Sequence, residues 1–169
     1  MSDRFFGKYR GSVVNNLDPM RIGRILASVP DVGTGIPTSW AMPCVPITGR
    51  KAGTWFVPQV GAAVWIEFEQ GDADYPIWSG CFWGSSSEVP GAVQKGNPAS
   101  PSIVLQTALQ NQIVMHDVPG PTGGIILKVA SGASIEINDL GITISNGKGA
   151  SIVLQGPSVT INKGALTVI

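Results

Sequence analysis

The sequence predicts an all-β protein built in two different halves, a small closed barrel followed by a repetitive β segment. First, 22 glycines and 13 prolines leave no stretch in which apolar residues recur with the 3.6-residue period of a helix. Second, every Trp, Tyr and Phe lies between Phe5 and Trp83, so the composition changes abruptly after that point. Third, short apolar triplets recur at fixed intervals beyond residue 120, which is typical of stacked β repeats. With 13% charged residues and a formal net charge of +0, the chain has no bulk attraction for phosphate or anionic lipid.

Short strands separated by turn signals account for the N-terminal half. We predict them at 7–15, 23–29, 40–45, 63–69 and 76–83, with turns at 16–19 and 71–74. About five such strands around an apolar interior indicate an OB-fold barrel over residues 1–84. The predicted barrel core comprises Val64, Ile66, Phe68, Trp78 and Ile25, and we expect the five tryptophans to fill much of the interior.

The C-terminal half is predicted to follow a linker. Residues 85–102 are rich in Ser, Pro and Gly and have the composition of a linker, whereas 103–169 contain the repeats. A shift of 17 residues superposes Ile125 on Ile142 and Val159, and Ile135 on Ile152. Strands at 103–105 and 113–115 are interpreted as a transition from the barrel. The predicted core of the repeats consists of Ile125, Leu127, Ile135, Ile137, Ile142, Ile144, Ile152, Leu154, Val159, Ile161, Leu166 and Val168.

One chain offers little interior for these repeats. Each repeat presents two aliphatic side chains, whose burial is worth about 3–6 kcal/mol, and its hydrogen bonds add about 1 kcal/mol each. Ordering seven backbone residues costs about 7–14 kcal/mol. Because these contributions nearly cancel and a lone ribbon leaves its sheet edges open, we predict an intertwined trimeric β-helix, with a single-chain solenoid as the alternative. The sequence ends within the pattern, and Leu166, Val168 and Ile169 are expected to form an apolar end that another protein covers.

Several segments together resemble one known family, that of phage baseplate assembly protein V and the central spikes of contractile tails and contractile injection systems. The resemblance lies in GSVVNNLDP at 11–19, GRI at 23–25, WAMP at 40–43, PQVG at 58–61, VWIEFEQGD at 64–72, PIWSG at 76–80, GASI at 149–152 and VTIN at 159–162. It implies a structural, homotrimeric spike with an OB-fold collar that docks on a baseplate hub and a β-helical needle that pierces the target envelope.

The resemblance also bears on partners and location. It implies transient contact with the target membrane, assembly in the cytoplasm, and a place in a phage tail or an injection-system particle. We expect a PAAR-like tip protein to cover the apolar end. The linker is too short for the lysozyme domain that some relatives carry, and His116 is the only histidine, so a histidine-bound metal at the apex is not expected.

Polar residues that could carry chemistry have simpler interpretations. Glu67 and Glu69 share one face of a strand, as paired glycosidase carboxylates could, but the solvent-facing side of the barrel explains them better. Asp72 and Asp74 are interpreted as turn residues rather than calcium ligands. His116 has no serine or cysteine in a nucleophile motif and is interpreted as a loop histidine. We therefore predict no enzyme activity, no catalytic residue, no metal site and no cofactor.

Single-stranded nucleic-acid binding by an OB-fold with an oligomerising β tail is the alternative function. OB-folds of that kind hold bases on aromatic side chains within a basic groove. Here Arg21 with Arg24 and Arg50 with Lys51 form short pairs rather than a basic stripe. We therefore expect no nucleic-acid partner.

The N-terminus lacks the apolar stretch of a signal peptide, which predicts synthesis in the cytosol. Cys44 and Cys81 stand without a CxxC pair or clustered histidines. We expect them to be buried free thiols rather than a disulfide, because disulfides are rare in reducing compartments.

Overall fold

The computed structural model describes residues 3–33, 35–94, 98–100 and 102–168. The chain divides after Glu88 into two compact units, each with its own large sheet. In this described part the secondary structure is almost entirely β, with one α-helix of four residues at Gly91–Gln94. No helix there is long and apolar enough to cross a membrane. The predicted all-β class is confirmed.

The N-terminal unit contains a five-stranded sheet with the strand order β2-β1-β6-β7-β3. Its strands are β1 (Tyr9–Asn15), β2 (Leu26–Ser28), β3 (Met42–Pro43), β6 (Ala63–Phe68) and β7 (Pro76–Cys81), and a separate hairpin joins β4 (Thr48–Gly49) to β5 (Ala52–Gly53). Neighbouring strands are antiparallel except β3, which runs parallel to β7. Register shifts in the β1–β2 and β6–β7 pairs bend the sheet, because a bulge increases local twist. The result is a curled, OB-like half-barrel.

Two strands of this unit are shorter than predicted. The stretch 23–29 contributes only Leu26–Ser28, with an isolated bridge from Ile25 to Ala41, and 40–45 contributes only Met42–Pro43. Pro43 has no N–H to donate to a ladder, so pairing there stays brief. The β4–β5 hairpin was not predicted, because its two-residue strands carry no alternating apolar pattern.

Alternation along β6 builds the core of this unit. Val64, Ile66 and Phe68 point inward and are 0%, 0% and 7% exposed. The buried cluster consists of Val13, Ile25, Ala27, Val29, Ala41, Val64, Ile66, Phe68 and Trp78. Trp78 is the largest member, and its indole Nε1 donates a 3.0 Å hydrogen bond to the Gly23 carbonyl oxygen.

The expectation that five tryptophans fill the barrel is wrong. Trp78 is the only one buried, whereas Trp55 and Trp83 are 64% and 61% exposed. Trp65 alternates with the inward residues of β6 and therefore points outward, where its ring lies 4.7 Å from that of Phe82. So small an interior is filled mainly by aliphatic side chains, and most of the tryptophans lie at its surface.

The C-terminal unit is an eight-stranded antiparallel sheet in which sequential strands are neighbours. Its strands are β8 (Ile103–Gln106), β9 (Gln112–His116), β10 (Gly124–Lys128), β11 (Ser134–Asn138), β12 (Gly141–Ser145), β13 (Ser151–Gln155), β14 (Ser158–Ile161) and β15 (Leu166–Val168). Strands β10, β12 and β14 begin 17 residues apart, which accounts for the sequence repeat. Within one chain the repeats therefore form a meander rather than the coils of a single-chain solenoid.

The region predicted to be a linker contains short helical turns. A 3₁₀ turn spans Ser86–Glu88, and the four-residue helix follows at Gly91–Gln94. The strands β8 and β9, interpreted from the sequence as a transition, belong fully to the C-terminal sheet. The sheet therefore begins at Ile103.

Candidate trimerisation face and barrel surface

One face of the C-terminal sheet is apolar along its whole length; we call it the apolar face. Cross-strand pairing arranges its side chains in two rows. One row contains Ile103, Met115, Ile125, Ile137, Ile142, Leu154, Val159 and Val168, and the other contains Leu105, Ile113, Leu127, Ile135, Ile144, Ile152, Ile161 and Leu166. Every residue predicted for the core of the repeats lies on this face.

The apolar face is not covered within one chain. Most of its side chains are 37–60% exposed, and Val114 is the only buried apolar residue among the described residues of this unit. Contiguous apolar surface of this extent marks an interaction site in soluble proteins. The C-terminal unit consequently has a large sheet but almost no interior of its own.

The opposite face carries polar side chains over most of its length. Its central row begins with Val104, Val114 and Ile126 and continues with Glu136, Thr143, Val153 and Thr160. The first three strands and β13 are apolar at this position, and the other strands of the row are polar. This face can therefore remain in water while the apolar face is covered.

Glycine and asparagine fix the turns that hold the two rows in register. Gly124 and Gly141 begin β10 and β12 with φ of +85° and +146°, and a Cβ on Gly141 would collide with the Leu154 carbonyl oxygen. The Asn146 side chain accepts hydrogen bonds from the backbone N–H groups of Lys148 and Ala150 at 2.8 and 3.1 Å. Such side-chain bonds substitute for backbone pairing in the turn.

Glu67 and Asp72 of the barrel have local partners. The carboxylate of Glu67 forms a 2.6 Å salt bridge with the ammonium group of Lys8. Glu69 is exposed in the 3₁₀ turn Glu69–Gly71. The Asp72 carboxylate accepts a hydrogen bond from the backbone N–H of Asp74 at 3.1 Å, which is the turn arrangement expected from the sequence. No group of three metal-ligating side chains occurs in the described ranges.

His116 is not a loop residue as predicted, because it ends strand β9. Its Nδ1 lies 2.6 Å from the Ser102 hydroxyl, a contact that the sequence did not reveal because 14 residues separate the two. The aspartate that follows, Asp117, is exposed. The pair fastens the chain entering β8 to the end of β9.

An apolar groove lies on the barrel between the loop 16–23 and the ring of Trp55. Leu17 and Trp55 line it and are 81% and 64% exposed. The loop is held by Asp18, whose carboxylate forms a 2.7 Å salt bridge with the guanidinium of Arg24. The Asp18 side chain is 4% exposed, and the Arg24 bond holds its pKa well below the usual range. Rigid support of this kind keeps exposed apolar side chains in place.

The expectation that both cysteines are buried is wrong. Cys44 and Cys81 are free thiols, and both are exposed. Cys81 is the last residue of β7, where the strand leaves the core, so its position in the strand does not bury it.

Two family models match the chain. The type VI secretion system/phage-baseplate injector OB domain matches residues 9–83. The phage baseplate V C-terminal trimerisation domain matches residues 102–167. A comparison with curated proteins found no match.

The two matched families are those of a homotrimeric structural protein rather than an enzyme. The chain belongs to the phage baseplate V family, with an injector OB domain and a C-terminal trimerisation domain, and is a spike of the phage-baseplate and type VI injector kind. The recognised family, the OB domain and the structural function predicted from the sequence are thereby confirmed.

Proposed function

We propose that three chains bring their apolar faces together around one axis to form a needle, with the OB domains as its collar. The observation that carries this proposal is the exposed apolar face of a sheet with almost no interior of its own. Its core would consist of the two rows of the apolar face, which include Ile103, Leu105, Ile113 and Met115 in addition to the residues predicted from the sequence.

The length of the strands favours three chains. Strands of five residues are about 17 Å long. A triangular prism with sides of that length places each sheet about 5 Å from the axis, which one layer of Ile, Leu and Val side chains fills. A square arrangement would place each sheet about 8.5 Å from the axis and leave a void along the centre. Two chains packed face to face as a sandwich could also fill the space between their sheets with side chains. In that arrangement, however, the turns along both edges of each sheet would contact no neighbouring chain.

The OB domain is proposed to dock on the baseplate hub through the groove between the loop 16–23 and Trp55. Leu17 and Trp55, which line this groove, are 81% and 64% exposed, and the neighbouring Met20 is 63% exposed. Exposed apolar side chains that lie together mark interaction sites. Exposed tryptophan is also enriched at the energetic centre of protein interfaces.

A PAAR-like tip protein is proposed to cover the far end of the needle. Strand β15 lies at the edge of the described sheet and pairs there with β14 alone. Leu166 and Val168 on it are 55% and 57% exposed, so both backbone and side-chain groups are available to a partner. Ile169, the third residue predicted for this contact, lies outside the described residues.

The proposed action is mechanical. A needle with continuous backbone pairing resists bending, and its low content of charged residues lowers the cost of a transient contact with the target membrane. Assembly in the cytoplasm, before incorporation into a tail or injection-system particle, is consistent with the two free thiols.

Co-purification with the hub protein and the tip protein of the same particle tests the docking assignments. The double substitution Leu17→Ala and Trp55→Ala should abolish hub retention while the trimer and tip binding persist. Tyr75→Ala, at another exposed aromatic of the OB domain, is the matched control and should retain the hub. Leu166→Ala with Val168→Ala, which removes apolar surface from the end of the needle without placing a charge in its core, should show the reverse pattern, losing the tip protein while the trimer and the hub are retained. Undiminished hub retention by the first variant would reject the groove as the docking surface.

A further inference from the structure

Apart from Glu136 in the middle of β11, the charged residues of the C-terminal sheet are sorted between its two edges of turns. The strands alternate in direction, so the turns 107–111, 129–133, 146–150 and 162–165 lie along one edge, and 117–123, 139–140 and 156–157 lie along the other. The first edge carries Lys128, Lys148 and Lys163 and no acidic residue; we call it the lysine edge. The second carries Asp117 and Asp139 and no basic residue; we call it the aspartate edge.

Among the described residues, the charges of the two edges form no ion pair within their own chain. The two ion pairs found among the described residues, Lys8–Glu67 and Asp18–Arg24, both lie in the N-terminal unit. All three lysines and both aspartates of the edges are exposed. Asp139 is also held in position, since its carboxylate accepts a 2.6 Å hydrogen bond from the backbone N–H of Gly120.

We propose that the trimer closes through three identical seams, in each of which the lysine edge of one chain lies against the aspartate edge of the next. This inference rests on the proposed trimer and adds which surfaces meet in it. In a ring of three parallel chains every contact joins two different edges of the subunit, whereas a two-fold contact would join an edge to its own copy. Contact of like edges would oppose lysines to lysines and aspartates to aspartates.

The spacing along the two edges matches. Asp117 follows β9 and Asp139 follows β11, so they are two strand positions apart. Lys128 ends β10 and Lys148 lies between β12 and β13, so they are two to three positions apart. With about 4.8 Å between strands, both separations are about 10–14 Å. A stagger of about one strand between neighbouring chains brings both aspartates within reach of a lysine side chain.

Directed cross-linking tests the seam. In a background with Cys44→Ser and Cys81→Ser, we would introduce Lys148→Cys and Asp139→Cys, singly and together, and treat each purified trimer with a short bismaleimide. The proposal predicts covalent dimers and trimers from the double variant and none from either single variant, because equivalent corners of the prism are about 17 Å apart. Lys128→Cys with Asp117→Cys provides a second pair in which the Asp139–Gly120 bond is intact.

Products from Lys148→Cys alone would overturn the proposal, since they would require two lysine edges to meet. An absence of products from both double variants, in samples whose native mass is that of three chains, would overturn it as well. A native mass of one chain in the unsubstituted background would instead reject the trimer itself, so the two failures are distinguishable.

Charge reversal provides an independent test of the electrostatic contribution. An exposed ion pair changes an association constant by up to about five-fold. Because the trimer contains three identical seams, Lys148→Glu should lower its association constant about 100-fold at low salt. Adding Asp139→Lys to the same chain should recover most of this loss, and 1 M salt should remove the difference between the variants. A reversal without effect at low salt, or a double variant weaker than both single ones, would contradict the pairing.

Discussion

Replacing Ile152 with aspartate should abolish the trimer. Ile152 lies in the middle of the apolar face, paired with Ile144 and Ile161, and is 38% exposed in one chain. Covering that fraction is worth about 0.6–1.1 kcal/mol per chain, or about 2–3 kcal/mol for three. Three carboxylates near the axis, each buried without a partner, add several kcal/mol apiece. The total exceeds roughly 10 kcal/mol, which is about seven orders of magnitude in the association constant.

Val153→Asp is the matched control for this experiment. Val153 is the next residue of the same strand, but it lies on the opposite face between Thr143 and Thr160. The carboxylate of the Val153→Asp variant would stay in water. The loss of stability would then come only from the lower β-strand propensity of aspartate, which is at most about 1 kcal/mol per chain. Light scattering after size-exclusion chromatography would give the mass of each variant across a dilution series. If the Ile152 variant stayed trimeric, or if both variants dissociated alike, the assignment of the two faces would be refuted.

Three further predictions concern stability. Gly141→Ala should lower the free energy of unfolding of the C-terminal sheet by more than about 3 kcal/mol, because the positive φ of +146° alone costs about 1–3 kcal/mol and a Cβ would in addition collide with the Leu154 carbonyl oxygen. Gly156→Ala, where φ is +56° and nothing lies within 4 Å, should cost only about 1–2 kcal/mol, and equal losses in denaturant titrations would contradict the collision. Trp78→Phe should destabilise the OB domain by about 1–3 kcal/mol, because it leaves the Gly23 carbonyl without its indole donor; an unchanged denaturation midpoint would argue against that bond. Asp18→Asn should lower the thermal midpoint of the OB domain at neutral pH. The pKa of Asp18 is lowered on folding, so the ionised carboxylate stabilises the folded OB domain fully at any pH above the ordinary carboxyl pKa. This stabilisation declines as the pH falls toward the lowered pKa. The difference in thermal midpoint between the wild type and Asp18→Asn should therefore become smaller in acid. A gap that stayed constant down to pH 2 would remove Asp18 as its source.

Local patterns predicted the strands well, because alternation specifies a strand without knowledge of its partners. The triplets at Ile125 and Ile142 lie within β10 and β12, and the 17-residue interval between them is the period of the meander. The alternation at Val64 and Ile66 likewise implies that Trp65 points outward, but the number of tryptophans suggested a different core. Composition alone does not say which aromatic side chains are covered.

Features that depend on distant pairing could not be predicted from the sequence. The contact between Ser102 and His116 requires the register of β8 on β9. The short β4–β5 hairpin has no alternating pattern, and the exposure of Cys81 depends on where β7 leaves the core. Sorting of lysines and aspartates between two edges becomes visible only when each turn is assigned to a side of the sheet.

Native mass spectrometry combined with hydrogen exchange tests the central claim most directly. The claim is that the C-terminal sheet acquires its interior from sister chains. It predicts a particle of three 17.6 kDa chains, with slow exchange in strands β10 to β14 that becomes fast on dissociation. A single 17.6 kDa chain whose β10 to β14 amides remain protected at high dilution would contradict the account.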